Sequence, residues 1–275
     1  PLATRFAGAA ERIGVLMLHG KNPGGPQSPQ YAPVKAAMEK QGWLVVLPDM
    51  PWSRNRYLQG NWDGAMTEIA GHVKSLQDQG ATRIVLIGHS MGVPAAMSHA
   101  ARGGTAHALV LLAPGHVPRG YFTAASLAPV KESIEAARAL VAAGKGDDNN
   151  RFIDINQGRQ QPVVTTAKNF LSYFDPESDA DMGVTAPRLP ASLPVLTAIG
   201  QGPLGLQQQT GAAAPERWDA TPTLAYPVAS RFLVDPVQVR AKSGTLNFVS
   251  GLAGFILPPS GREMCFAVFS ADVPR

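Results

Sequence analysis

The chain has 275 residues, 45% of them hydrophobic and only 16% charged, enough to build one large domain with a substantial core. Its formal charge of +4 comes without a Lys/Arg cluster, which argues against a nucleic-acid partner. One cysteine, Cys265, excludes an internal disulfide and a Cys-rich metal site, and no apolar run approaches the ~20 residues of a membrane span.

The first half alternates strand and helix patterns. RIGVLMLHG (12–20) is an apolar run closing on glycine, as expected of a buried parallel strand. A helix is predicted over 31–43, a strand over 43–51 (WLVVLPDMP) and an amphipathic helix over 63–80. RIVLIGHS (83–90) reads as the third strand, 91–104 as a helix and AHALVLLAPGH (106–116) as the fourth strand. Such alternation predicts a parallel sheet with helices on both faces. Residues 117–192 read as a helical insertion, with helices over 129–146 and 162–176 and a solvated loop, GDDNN, at 146–150. LPVLTAIG (193–200) is a fifth strand. Residues 201–237 lack either period and read as an irregular linker. Two apolar segments around PPSG predict a β-hairpin in the tail (238–275), turning at Pro258–Gly261 and packing on the same sheet. Together these give an α/β fold class in which an antiparallel hairpin replaces the last strands.

Chemistry concentrates at Gly88-His89-Ser90-Met91-Gly92, a Gly-x-Ser-x-Gly placed between a strand and a helix. Such a turn needs small neighbours two residues from the serine. It raises the Ser90 hydroxyl above the sheet and turns the Met91 amide, at a helix N-terminus, toward a developing oxyanion. LHGKNPGG (18–25) follows the first strand, where folds of this kind place the second donor, the amide of Lys21.

With LMLHG, VVLPD, LIGHSMG and LVLLAPG as successive strands, residues 12–200 resemble an α/β-hydrolase of the esterase–lipase type. The resemblance implies Ser90 as nucleophile, Lys21 and Met91 as oxyanion donors, and a binding loop formed with His19 and Gly20. In that family an acid follows a late strand and a histidine follows the last one. Here PVLTAIG runs into QGPLGLQQQ, and no histidine occurs after His116, so a Ser–His–Asp triad in family order is impossible. Of the six histidines, His116, just after the fourth strand, is the first choice for a substitute base. His72, His99 and His107 read as surface or packing residues, and His89 as packing within the elbow. His19, Asp49, His89 and His116 all fall at C-terminal strand ends and form a second, metal-binding alternative; otherwise no cofactor is expected. Asp219 and Asp235 are further acids without a defined placement.

The tail, VRAKSGTLNFVSGLAGFILPPSGREMCFAVFSAD, resembles the end of a D-alanyl-D-alanine carboxypeptidase of the DacB-like type, a likeness covering about residues 226–275. That family's Lys-Thr-Gly motif reads Lys242-Ser243-Gly244 here. Its Ser-x-x-Lys partner is missing, since SIEA (133–136) does not supply it. The combined expectation is a truncated hydrolase domain (1–200) joined, between 200 and 238, to the end of another protein. The function expected is weak hydrolysis of small or activated esters through Ser90, with a non-catalytic chimeric fold, a metal-dependent hydrolase and a D,D-peptidase as alternatives. Self-association that covers exposed apolar surface, as a homodimer or higher oligomer, is also expected. The start at Pro1 fits a cleaved leader or a trimmed end equally well, and with no apolar run of membrane-spanning length a soluble protein is expected, its compartment, cytoplasm or periplasm, left open.

Overall fold

A computed structural model describes residues 11–123, 125–156, 158–201, 238–246, 249–257 and 264–271; from residue 198 onward it describes the backbone alone. The first half forms β1 (Ile13–Leu18), α1 (Tyr31–Lys40), β2 (Leu44–Val46), α2 (Trp62–Asp78), β3 (Arg83–His89), α3 (Gly92–Ala101) and β4 (Ala108–Leu112). The chain continues as α4 (Ala128–Ala142), β5 (Asn149–Asn156), β6 (Arg159–Thr166), α5 (Ala167–Phe174) and α6 (Met182–Thr185), and then β7 (Val195–Gln201). The tail supplies β8 (Gln238–Leu246), β9 (Val249–Leu257) and β10 (Met264–Ala271).

The main sheet has eight strands in the order β2-β1-β3-β4-β7-β10-β9-β8. The pairs β1–β2, β1–β3, β3–β4, β4–β7 and β7–β10 are parallel, while β9 runs antiparallel to both β10 and β8. The α/β class with a mostly parallel sheet and an antiparallel C-terminal addition is therefore the class expected from the sequence. Period-2 alternation divides the core. Leu16 and Leu18 of β1 face α2 and α3, whereas Val15 and Met17 face Tyr31 and Met38 of α1. The larger core is anchored by Trp52 and Trp62, both fully buried with ring centroids 6.0 Å apart. At about 25 cal/mol per Å², a buried aromatic of ~150–250 Å² contributes several kcal/mol, so these two rings are a main stabilising term of that face.

Two local expectations are corrected. GDDNN is not all loop, and 162–176 is helical only in its second half. Asn149–Asn156 and Arg159–Thr166 instead pair as an antiparallel hairpin, with Phe152 opposite Val163 and Asp154 opposite Gln161. Period 2 places Phe152 and Asp154, both buried, on its inner face with Val163 and Thr165. Pro162 is tolerated because β6 is an edge strand. The β-branched run VVTT stays extended until Thr166, whose hydroxyl caps α5 by accepting from the Asn169 amide at 3.1 Å. The tail also holds three strands rather than two, because QVRAKSGTL pairs with β9 as β8. The irregular segment 202–237, with Asp219 and Asp235, and the turn at 258–263 lie outside the described residues. Among the described residues no helix is long and apolar enough to cross a membrane.

Strand order places the chemistry. From β1 the chain goes to β2 on one side, then crosses by α2 to β3 on the other. The switch point of the parallel sheet is thus between β1 and β3, and the loops leaving their C-terminal ends carry Lys21 and Ser90.

Candidate active site

Ser90 has φ +53°, a left-handed conformation that a non-glycine residue adopts only when its surroundings impose it. The imposing contacts are visible. A Cβ on Gly88 would lie 2.3 Å from the Gly92 carbonyl oxygen, and one on Gly92 would lie 2.0 Å from the Leu18 carbonyl oxygen. Both obstacles are backbone, so neither position admits a side chain. Ser90 N–H donates to Leu112 O at 3.1 Å, and Gly115 N–H donates to Ser90 O at 3.3 Å, which ties the elbow to the end of β4. The loop then passes directly over the nucleophile: a Cβ on Gly115 would be 2.7 Å from Ser90 Oγ. Sequence reasoning did not single out Gly115; the one signal was its position three residues beyond β4.

The two expected oxyanion donors differ in how they are held. Met91 precedes the first turn of α3 in helical geometry and is fully buried, so its amide sits at the positive end of a ten-residue helix. Lys21 is buried in the loop after β1. Among the described residues, no acceptor takes the amide proton of either. Gly20 and His19 turn out to be framework. Gly20 N–H donates to the Tyr31 hydroxyl at 3.0 Å, and that hydroxyl donates to His89 Nδ1 at 2.7 Å. His19 Nδ1 donates to Gly20 O at 2.7 Å, while His19 Nε2 accepts from Met50 N–H at 3.0 Å. The Trp52 indole N–H donates to His19 O. Burial lowers the pKa of His19, against the opposing pull of the Gly20 carbonyl and Asp49, and burial also lowers that of His89. Both rings are therefore neutral spacers.

The structure does not turn His116 toward the nucleophile. Its Nε2 lies 2.6 Å from the Tyr173 carbonyl oxygen, which can only accept, so Nε2 carries the proton. Its Nδ1 faces the Tyr121 hydroxyl at 3.4 Å. Burial, then the nearby Lys21 ammonium, hold the ring at a pKa of about 3. Edge-on contacts with Phe174 (5.0 Å) and Tyr121 complete the packing, with φ +60° at His116 itself. No described side chain hydrogen-bonds Ser90 Oγ. The metal alternative is not assembled either: among the described residues no three His, Cys, Asp or Glu side chains are placed to share an ion. Asp49 is partly exposed, 4.0 Å from His19 Nε2, with Oδ1 unpartnered. His107 accepts from the Ile84 amide, and His72 and His99 lie in α2 and α3. Lys242 and Ser243 lie within β8, opposite Ala253 and Leu252.

One cluster was not anticipated. Lys21 Nζ donates to Asp154 Oδ1 at 2.7 Å, with the lysine buried and the aspartate wholly so. Asp154 Oδ2 accepts from the Tyr57 hydroxyl and from Gln161 Nε2. Burial by itself pushes the Asp154 carboxyl up, but the Lys21 ammonium and these hydrogen bonds outweigh it, and the pKa lies below the ordinary carboxylate value. Burial and the adjacent carboxylate push the Tyr57 hydroxyl well up, which keeps it a donor.

No protein-family model and no curated protein matches the chain. Solved structures do match it. The siderophore hydrolase EstB from Aspergillus fumigatus is 15% identical over 72% of this chain and 72% of its own, with a TM-score of 0.46. A Paleococcus ferrophilus monoacylglycerol lipase is 19% identical over 72% and 79%, with a TM-score of 0.48. A thermostable carboxyl esterase from Bacillus coagulans is 14% identical over 70% and 72%, with a TM-score of 0.45. These are likenesses of chain path and say nothing of chemistry. No match supports the carboxypeptidase resemblance of the tail.

Proposed function

We propose that the protein is a serine hydrolase of small, activated carboxylic esters. The observation that carries this reading is the strained Ser90 at φ +53°, seated at the sheet's switch point beside the N-terminus of α3. Strain of this kind persists where surrounding structure enforces it, and it aims one hydroxyl out of the sheet. In this reading Ser90 Oγ attacks the acyl carbon and the carbonyl π electrons move onto oxygen. The amides of Met91 and Lys21 stabilise that oxyanion. The tetrahedral adduct collapses with departure of an aryloxide, and water then releases the acyl group. His116 is neutral and engaged with Tyr173 and Tyr121, so the Ser90 proton passes to solvent instead. Turnover is accordingly weak and confined to leaving groups that need no protonation. Residual catalysis of ~10³–10⁴ over water is the scale that an oxyanion hole and binding supply without a triad.

The test compares p-nitrophenyl acetate hydrolysis by the native chain and Ser90→Ala. Expected are a rate that vanishes in the variant, and a native rate that climbs with pH without an inflection near 6.5. Equal rates in the two proteins would leave the elbow a purely structural feature.

A further inference from the structure

The β5–β6 hairpin grips the loop after β1 at two consecutive residues. Asp154 holds the Lys21 side chain, Asn156 Nδ2 donates to the Asn22 carbonyl oxygen, and Asn22 Nδ2 donates to Gln161 Oε1 at 3.0 Å. From the opposite side the framework holds the same loop: Asn22 N–H donates to Trp52 O at 2.8 Å, and Arg54 N–H donates to Gly24 O at 2.9 Å. Residues 21–24 are thus held by both the loop after β2 and the hairpin. Burying an ion pair is a poor way to gain stability, because desolvation offsets the attraction and an apolar pair of similar volume does as well. What a buried pair supplies in addition is direction, since the ammonium and carboxylate meet in few geometries.

We propose that the hairpin is a clamp on the oxyanion loop, and that Asp154 is a positioning residue which, through Lys21, sets the orientation of the Lys21 amide. The inference rests on the reading of Ser90 as an acyl-transfer nucleophile, but it has a readout that needs no activity. Asp154 touches no reacting atom. It acts on the Lys21 side chain, with Gln161 and Asn156 holding the next residue, while the other half of the peptide plane that carries the Lys21 N–H, Gly20 O, is held by His19 Nδ1.

The experiment uses the full chain and four proteins: native, Ser90→Ala, Asp154→Asn and Val73→Ala. The last is a core truncation on α2, outside the site, serving as a stability control. Amide hydrogen exchange is read over residues 20–25 and over the start of α3. Hydrolysis of p-nitrophenyl acetate is read as kcat and KM separately. Asp154→Asn is expected to speed exchange over 20–25 at least tenfold beyond whatever change its lower global stability brings to the α3 amides. It is expected to lower kcat on the order of 10–100-fold with KM within about threefold, because a displaced donor is lost mainly in the transition state. Val73→Ala is expected to lose stability but keep both kcat and loop protection. Unchanged exchange over 20–25 in Asp154→Asn overturns the clamp. So does an equal fall in kcat in Val73→Ala at matched loss of Tm, which makes the pair merely structural. If Ser90→Ala hydrolyses as fast as the native chain, the nucleophile reading falls, and the exchange data still decide the clamp.

Discussion

Gly115→Ala separates the site from the fold. The added Cβ would sit 2.7 Å from Ser90 Oγ and 3.3 Å from Ser90 Cα, closer than the hydroxyl tolerates. Gly115 is not in the left-handed region, so alanine meets no backbone penalty, and the unfolded chain loses some freedom in favour of the variant. The severe obstacle is the end of a side chain with one torsion, and Ser90 escapes by moving Oγ to another staggered position, a shift of about 2 Å, while the approach to Ser90 Cα asks only a small backbone adjustment. Stability should therefore change by less than about 1 kcal/mol, or a few degrees in Tm. Activity should not survive, because a misplacement of ~1 Å is already worth ~10²-fold, equivalent to about 2.7 kcal/mol of barrier. The assay pairs p-nitrophenyl acetate turnover with a fluorophosphonate label on Ser90 and a thermal melt. Gly92→Ala supplies the contrast: its Cβ would lie 2.0 Å from backbone that cannot move aside, so activity and fold should be lost together. Native turnover and labelling in Gly115→Ala would refute the placement of Gly115 over the nucleophile, and a collapse of Tm in that variant would refute the reasoning that only a rotamer gives way.

The folded-state pKa of His116, about 3 against 6.5, means the unfolded chain takes up a proton that the folded chain refuses. Stability from this group is present above pH 6.5 and falls as pH drops toward 3, at up to about 1.4 kcal/mol per unit. Melts between pH 7 and 4 should show a shallower slope in His116→Gln, and an unchanged slope would show that the buried ring titrates normally. Asp154 works lower on the scale. Its carboxyl is depressed on folding, so its contribution is present above the ordinary carboxylate pKa near 3.8 and is lost as pH falls below it. Asp154→Asn should cost about 3–5 kcal/mol at neutral pH by leaving Lys21 buried and unpaired, and should flatten the acid limb of the melting curve below pH 4; an unaltered limb refutes the pairing. Saturating fluorophosphonate should label the native chain once and Ser90→Ala not at all, as read by intact mass. Labelling of the variant would place a reactive nucleophile elsewhere.

Much of this protein was legible in one dimension because its signals are local. An apolar run such as IGVLML has to be buried on both faces, and Gly-x-Ser-x-Gly is small where backbone meets backbone: Gly88 on Gly92, and Gly92 on Leu18. That no histidine follows His116 in these 275 residues was equally a property of the sequence, and it is why no base was assigned in family order. The β5–β6 hairpin was misread because Asp154 and Asn156 look like solvated polar residues, and VVTTAKNF mixes strand and helix formers. Their state is fixed by partners more than a hundred residues away, such as Lys21 and Asn22. His116 shows the same limit: its place after β4 was readable, but the direction of its ring was set by the Tyr173 carbonyl and the Tyr121 hydroxyl. Periodicity and turn chemistry are set by neighbours in sequence. The partner of a buried charge, and the tautomer of a buried imidazole, are set by whatever the fold brings within hydrogen-bond reach, and only the tertiary structure decides that.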